Sequence, residues 1–201
     1  EGGETLRQLG RRCLVVTSRH AAAASGALED AMAALSSAKI DYTIFPGIGP
    51  NPLVTQCQAA AFAAETCRAD FLLGIGGGSG MDATKAAAWL AANTITDAGK
   101  LFTGLRHPAL PVALVGTTAG TGSEVTATAV LTTDVDGRKK SINHPQCFAK
   151  VVFADPRYTY TVGIETTIST ALDALSHSVE GWLAPHCGDL ASACAEKAIP
   201  V

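Results

Sequence analysis

Three consecutive glycines, Gly76-Gly77-Gly78, stand between the apolar segment Phe71-Leu72-Leu73-Gly74-Ile75 and an alanine-rich stretch that follows Gly80. That junction narrows the choice of fold. A strand that turns through residues without Cβ atoms straight into a helix leaves the first helical amides uncovered. Those amides and the positive end of the helix dipole both favour an anion. The run continues Ser79-Gly80-Met81-Asp82-Ala83-Thr84-Lys85, so Ser79 and Asp82 have the spacing of a capping box, with Asp in place of the usual Glu or Gln. A well-capped helix after a flexible turn is the plain alternative. Capping needs one glycine at most, whereas a phosphate resting on main chain has a use for all three.

Around this junction, strand-like and helix-like segments alternate. Cys13 to Thr17 is a short apolar run, and residues 20–37 carry Leu28, Ala31, Met32 and Leu35 at helical spacing. Ile40 to Phe45 reads as a second strand, closed by Pro46-Gly47. A helix then starts with Asn51 as its N-cap and Pro52 at its first position. Phe71 to Ile75 is the third strand, residues 80–92 the third helix, and Pro111 to Val115 a fourth strand. That strand opens on a second small-residue loop, Gly116-Thr117-Thr118-Ala119-Gly120-Thr121-Gly122-Ser123. Repeated strand–helix units predict an α/β fold with a mostly parallel, Rossmann-like sheet covered on both faces. Open sheets of this kind bind ligands at the carboxyl ends of their strands, where both loops lie. The threonine loop has an ordinary threonine-capped turn as its alternative.

The texture then changes. Residues 126–143 and 151–154 read as two or three further strands, with Asp136-Gly137 as a hairpin turn. From Gly163 the chain reads as helical, with Ile164, Ile168, Leu172, Leu175, Val179 and Leu183 on one stripe. We therefore divide the sequence into an α/β nucleotide-binding domain, residues 1–160, and the beginning of an all-helical domain, residues 161–201.

Composition removes several function classes. Net charge is −3 in 201 residues with no basic stripe, so nucleic acid is not an expected partner. No segment reaches the roughly 18 consecutive apolar residues of a membrane span. The six cysteines form no CxxC pair and read as reduced, cytoplasmic thiols rather than a disulfide framework. The opening Glu1-Gly2-Gly3, without an initiator Met, reads as the interior of a longer polypeptide.

Two patterns bear on chemistry beyond the loops. The dinucleotide fingerprint G-x-G-x-x-G belongs after a first strand. Here the glycine run follows the third, and Gly74-Ile75-Gly76-Gly77-Gly78-Ser79 does not complete the pattern. In Asp173-Ala174-Leu175-Ser176-His177, a carboxylate and an imidazole lie one helical turn apart on the polar side, a pair suited to a divalent cation. Taken alone, such a pair is more often solvated than ligating. His107, His144 and His186 have no ligand spacing and read as surface or loop histidines.

Three segments in order resemble the iron-containing (group III) alcohol dehydrogenase family: Gly-Gly-Gly-Ser-x-x-Asp-x-x-Lys at 76–85, Thr-Thr-Ala-Gly-Thr-Gly-Ser-Glu-Val-Thr at 117–126, and Asp-Ala-Leu-x-His-x-x-Glu at 173–180. The resemblance covers nearly the whole chain. It implies a two-domain dehydrogenase with its active site in the cleft between the domains. Gly77, Gly78 and Ser79 would bind the pyrophosphate of NAD or NADP. Thr117, Thr118 and Thr126 would line the cofactor path, with Lys140 and Asn51 as further contacts. Asp173 and His177 would be two ligands of a divalent metal, Fe²⁺ by the serine after the triple glycine, with Zn²⁺ as the alternative. The substrate would be a small alcohol or aldehyde. Two further metal-binding histidines of the family lie downstream of Val201, so the sequence reads as a fragment inactive on its own. Where NAD-preferring members carry an aspartate, this chain has Thr17-Ser18-Arg19, and Ser18 with Arg19 suits a 2′-phosphate. A zinc-dependent polyol dehydrogenase and a non-catalytic nucleotide-binding module stay open as alternatives. Self-association into a homo-oligomer stays open too, since unpaired sheet edges invite it.

Overall fold

The computed structural model describes residues 2–18, 20–93, 98–103 and 107–200. Helix α1 (Gly2–Arg7) leads into β1 (Arg12–Thr17), α2 (Ala21–Ala24), α3 (Ala27–Ser37), β2 (Asp41–Phe45), α4 (Val54–Thr66), β3 (Phe71–Gly76), α5 (Gly78–Asn93) and β4 (Val112–Gly116). There follow β5 (Thr128–Thr132), β6 (Lys139–Asn143), β7 (Val151–Phe153), α6 (Ile164–Leu183) and α7 (Asp189–Ala198). Five strands form one sheet in the order β2-β1-β3-β4-β7, every pair parallel. Strands β5 and β6 form a separate antiparallel hairpin. This is the Rossmann-like α/β architecture read from the alternation of elements.

Burial explains why the central strands are almost wholly apolar. Along β1, β3 and β4, alternate side chains enter two different cores. Leu14, Val16, Leu72 and Leu114 pack with α4, α5 and the hairpin. Cys13, Val15, Leu73, Ile75 and Val115 pack with α1, α2 and α3 on the other face. A strand covered on both sides needs no polar alternation, and each fully buried Leu, Ile or Val side chain contributes about 1.5–3 kcal/mol. Helix α5 is buried almost all round from Gly80 to Ala91. Its alanines let sheet, α4 and hairpin all close on it. At Gly74 a Cβ would stand 2.5 Å from Thr84 Oγ1 and 2.8 Å from Leu114 Cδ2, which shows how near α5 comes to β3.

Several boundaries differ from the sequence reading. The helix expected over 20–37 is two helices, because Gly26 takes a left-handed φ of +79° between them. Asn51 is not an N-cap, and Pro52 is not the first helical residue. Asn51 has φ +50°, a region that Asn tolerates better than most residues, and α4 starts at Val54 with Leu53 as its cap. The Leu53 amide is satisfied by Gln56 Oε1 at 3.1 Å. The Thr55 amide and hydroxyl donate to Asp134 in the hairpin turn, at 3.1 and 2.5 Å. Segment 51–53 instead runs beside β5, where the Thr132 amide donates to the Pro52 carbonyl at 2.8 Å. The hairpin turns at Asp136-Gly137 as expected, with Gly137 at φ +65°. Val151–Phe153 pairs with β4, extending the main sheet rather than the hairpin.

In α6 the apolar stripe lies bare. Ile164, Ile168, Leu172, Leu175 and Leu183 are exposed, and no α6 residue is buried. All six cysteines are free thiols, three of them buried. Among the described residues, no helix is long and apolar enough to cross a membrane.

Candidate functional site

The strand order reverses direction between β1 and β3, so the crevice at their carboxyl ends is the natural ligand position of the sheet. Four loops converge there: those after β1 (Ser18), β2 (Gly47 to Asn51), β3 (Gly77 to Ser79) and β4 (Thr117 to Ser123). A cleft of about 580 Å³ opens beside them. Its walls bring together Asn51, Pro52, Gly78, Ser79 and Asp82, then Thr121, Ser123 and Thr126, then Thr128, Val130, Thr132 and Lys139 of the hairpin, and finally Asp173 and His177 of α6. Residues far apart in sequence thus share one space.

The glycine loop differs in detail from a capped helix start. Helix α5 begins at Gly78, and Ser79 does not cap it. Ser79 Oγ accepts the Asn51 amide at 3.1 Å instead, which joins the β2–α4 loop to the β3–α5 turn. Asp82 also does no capping. Its Oδ1 accepts the Ser123 hydroxyl at 2.6 Å, and its Oδ2 accepts the Val130 amide at 2.9 Å. Two of the glycines answer to a packing demand that the sequence hides. A Cβ on Gly77 would lie 2.9 Å from Thr118 Oγ1, and one on Gly78 would lie 2.8 Å from Thr121 Cγ2. The glycine and threonine loops press on each other, with the Thr117 amide donating to the Gly76 carbonyl at 3.0 Å. The leading amides of α5 still lack intrahelical partners and retain their affinity for an anion.

Lys85 is the most unusual side chain near the site. It is fully buried, and its Nζ donates to the carbonyls of Ser123 (2.6 Å), Thr126 (3.1 Å) and Thr128 (2.7 Å) and to the Ser123 hydroxyl (3.0 Å). Asp82 Oδ1 lies 3.8 Å away. Burial pulls the Lys85 ammonium below its ordinary pKa and pushes the Asp82 carboxyl above its own, because each would be charged out of water.

Two hydroxyls stand ready for a ligand. Ser18 Oγ and Thr117 Oγ1 are buried without a hydrogen-bond partner, one at the end of β1 and the other at the end of β4. Leaving a buried hydroxyl unpaired costs about 1–3 kcal/mol, so their presence at the crevice fits a polar ligand that would complete them. Ser18 also borders a smaller cavity of about 480 Å³ with His20, Gly47, Gly49 and Gln56. Arg19, expected beside it, lies outside the described residues.

Asp173 and His177 occupy successive turns of α6, with Oδ2 and Nδ1 3.8 Å apart. That is too long for a hydrogen bond, so each keeps lone pairs for a cation. Among the described residues, no group of three or more His, Cys, Asp or Glu side chains could hold a metal. A carboxylate and an imidazole are a donor set that divalent Fe or Zn accepts, but they make only part of a coordination sphere. The position of α6 against the threonine loop is set at Gly120, where a Cβ would meet Thr170 Cβ at 2.7 Å and the Thr170 carbonyl oxygen at 2.8 Å.

The remaining expected residues divide. Asn51, Gly78, Ser79, Thr126, Asp173 and His177 line the common cleft. Gly77, Thr117 and Thr118 lie just behind it in the two touching loops. Lys140 does not reach the cleft. It faces the opposite side of the hairpin, with its ammonium 5.5 Å from the centre of the Phe102 ring. Its neighbour Lys139 is the lysine that lines the cleft, paired across from Thr132. Strand alternation carries that signal, since Thr128, Val130, Thr132 and Lys139 fall on one face. The buried group of Lys85, Asp82 and Ser123 was also missed. A charged pair three residues apart on an otherwise alanine-rich helix was its only mark. Of the other histidines, His144 packs its ring against Trp89, with centroids 4.7 Å apart, and His107 and His186 are exposed.

Residues 1–156 match the family model described as iron-containing alcohol dehydrogenase. The chain is 32% identical to the NAD-dependent methanol dehydrogenase of Bacillus methanolicus, over 99% of this chain and 52% of that protein. It is also 32% identical to long-chain-alcohol dehydrogenase 1 of Geobacillus thermodenitrificans, over 96% of this chain and 50% of that protein. Among solved structures, an iron-containing alcohol dehydrogenase from Thermotoga maritima superposes with a TM-score of 0.91 at 38% identity, covering 97% of this chain and 54% of that one. The chain therefore spans about half the length of the relatives it matches.

Proposed function

The chain belongs to the iron-containing alcohol dehydrogenase family, and from that premise we propose that the complete protein is a metal-dependent dehydrogenase. It moves a hydride between a small alcohol and NAD or NADP, or back from the reduced cofactor to the aldehyde or ketone. The observation that carries this reading is the single cleft on which the glycine loop, the threonine loop and the Asp173–His177 pair all border.

In this reading the dinucleotide lies along the carboxyl edge of the sheet. Its diphosphate rests on the first amides of α5 at Gly77, Gly78 and Ser79, where dipole and uncovered N–H groups favour negative charge. Thr117 and Thr126 bond its polar edge towards the hairpin, and Asn51 and Lys139 flank it. The side of the cleft carrying Asp173 and His177 would receive the nicotinamide, and the cavity beside Ser18 the adenosine. Among the described residues no carboxylate borders that cavity, so a 2′-phosphate would meet no charge repulsion from them and NADP would be accommodated as well as NAD. Asp173 and His177 hold the cation, Fe²⁺ by family and Zn²⁺ as the alternative. Once bound, that cation supplies Lewis acidity that favours the alkoxide form of the alcohol. The chain itself orients the cofactor and keeps bulk water from the reacting carbon. Methanol, 1-propanol and butanol in the names of relatives support a small alcohol as the substrate. We read residues 161–201 as the start of the helical domain that completes the site, and the free thiols support a reduced, cytoplasmic setting.

The test is metal content and turnover in Asp173→Ala and His177→Ala variants of the complete protein. Loss of a residue that merely supports a metal ligand costs about 10–100-fold, so loss of a ligand should cost more than about 100-fold in activity. Dinucleotide affinity should stay within about twofold. Full metal occupancy and normal turnover in either variant would refute the assignment.

A further inference from the structure

The cleft wall formed by residues 121–130 has little regular structure of its own. It is a glycine-threonine loop, a single 3₁₀ turn at Ser123–Val125, and the first residues of β5. Such a segment is expected to be mobile unless something fixes it. What fixes it is a pair of side chains from one turn of α5. Lys85 Nζ takes the carbonyls of Ser123, Thr126 and Thr128, while Asp82 takes the Ser123 hydroxyl and the Val130 amide. Four of the wall residues so held, Ser123, Thr126, Thr128 and Val130, border the cleft. Lys85 is buried beneath them and does not border the cleft, whereas Asp82 does.

We propose that Lys85, assisted by Asp82, is the positioning residue that holds this wall in the shape that receives the nicotinamide dinucleotide. The inference rests on the reading of the cleft as a dinucleotide site. Lys85 acts only through the backbone it grips. An ammonium suits the task because three tetrahedral N–H donors can splay towards three carbonyls that diverge from different parts of the chain. No uncharged side chain of similar length offers three donors from one atom. The geometry also explains why a lysine sits in the buried middle of an alanine-rich helix, where an unpartnered charge would not survive.

The complete protein carrying Lys85→Met should be compared with wild type in three measurements: amide hydrogen exchange over residues 121–130, dissociation constants for NAD⁺ and NADP⁺, and steady-state kinetics. Loss of three charge-assisted hydrogen bonds should raise exchange across 121–130 and weaken dinucleotide binding by about tenfold or more, with exchange in β1 and β3 unchanged. At saturating dinucleotide, kcat should stay within about threefold of wild type, since binding energy can reorder the wall. Ser123→Ala removes only the two hydroxyl links, to Lys85 and to Asp82, leaves the three carbonyls gripped, and serves if the methionine variant does not fold. It should raise exchange over residues 121–130 and weaken dinucleotide binding by about threefold. A lowered melting temperature with unchanged affinity and unchanged 121–130 exchange would overturn the proposal in favour of a purely structural role. Collapse of kcat at saturating cofactor would overturn it in favour of direct catalysis. Failure of the wild-type protein to bind either dinucleotide would sink the reading of the cleft, while the exchange data would still decide whether Lys85 holds the wall.

Discussion

Substituting Gly77 by alanine separates two reasons for the glycine run. The residue does not have a left-handed φ, so the backbone accepts alanine without strain. The new methyl group, however, would stand 2.9 Å from Thr118 Oγ1 and 3.2 Å from Thr118 Cγ2. Carbon contacts are comfortable from about 3.5 Å, so the two loops must part by roughly half an ångström or Thr118 must leave its rotamer. Overpacking of that kind costs about 1–3 kcal/mol, and the stiffer unfolded chain returns about 0.4–1 kcal/mol. We expect a net loss near 1–2 kcal/mol by this balance. Thr118→Ala removes the offending atoms, since Thr118 Cβ would lie 3.7 Å from the added methyl. A cycle of wild type, Gly77→Ala, Thr118→Ala and the double variant, followed by urea unfolding and by calorimetric titration with NAD⁺ and NADP⁺, should show a coupling of about 1 kcal/mol or more in both quantities. Gly77→Ala should hurt when threonine is opposite and do little when alanine is. Equal weakening of dinucleotide binding in both backgrounds would show that the glycine serves the diphosphate directly and that the loop-packing argument is wrong.

Other outcomes follow from the same geometry. Gly120→Ala drives a methyl group into the main chain of Thr170, which cannot rotate away, so α6 must shift by about 0.5–1 Å. Metal distances tolerate only about ±0.2 Å, so metal titration of the complete protein should find affinity down about tenfold or more. Dinucleotide affinity should change less, and unchanged metal affinity would refute the contact. Lys139→Ala should weaken dinucleotide binding about two- to fivefold at low salt, less at 0.5 M salt, because the ammonium is exposed and screened. Lys140→Ala should leave binding alone, and the reverse ranking would mean the hairpin register is wrong.

The parts of the fold that were legible in the sequence are those where burial is two-sided. Strands β1, β3 and β4 announce themselves as apolar runs because both faces are covered, and the glycine and threonine loops mark their carboxyl ends. The errors came where one local pattern serves two structures. Asn51-Pro52 has the composition of a helix cap, but Asn also tolerates the left-handed turn it adopts here, and tertiary pairing with β5 decided the matter. Lys139 and Lys140 are adjacent and alike. In a strand one step changes the face, so only the pairing with Leu131 and Thr132 tells which points to the cleft. The glycines at 77 and 78 read as a phosphate cradle or a capped turn and not as packing positions, because Thr118 and Thr121 come near only through the neighbouring strand β4. Lys85 was visible as a residue but not as an anchor, since its acceptors are backbone carbonyls about 40 residues further along.

Helix α6 meets the threonine loop at Thr170, and it carries Asp173 and His177 at three and seven residues beyond that contact. With a rise of 1.5 Å per residue, these are lever arms of about 4.5 and 10.5 Å. A tilt of about 5° around the contact would swing His177 by roughly 0.9 Å but Asp173 by only about 0.4 Å. The imidazole is therefore the more sensitive end of the pair, so rocking of this helix would release a shared cation from the histidine side first.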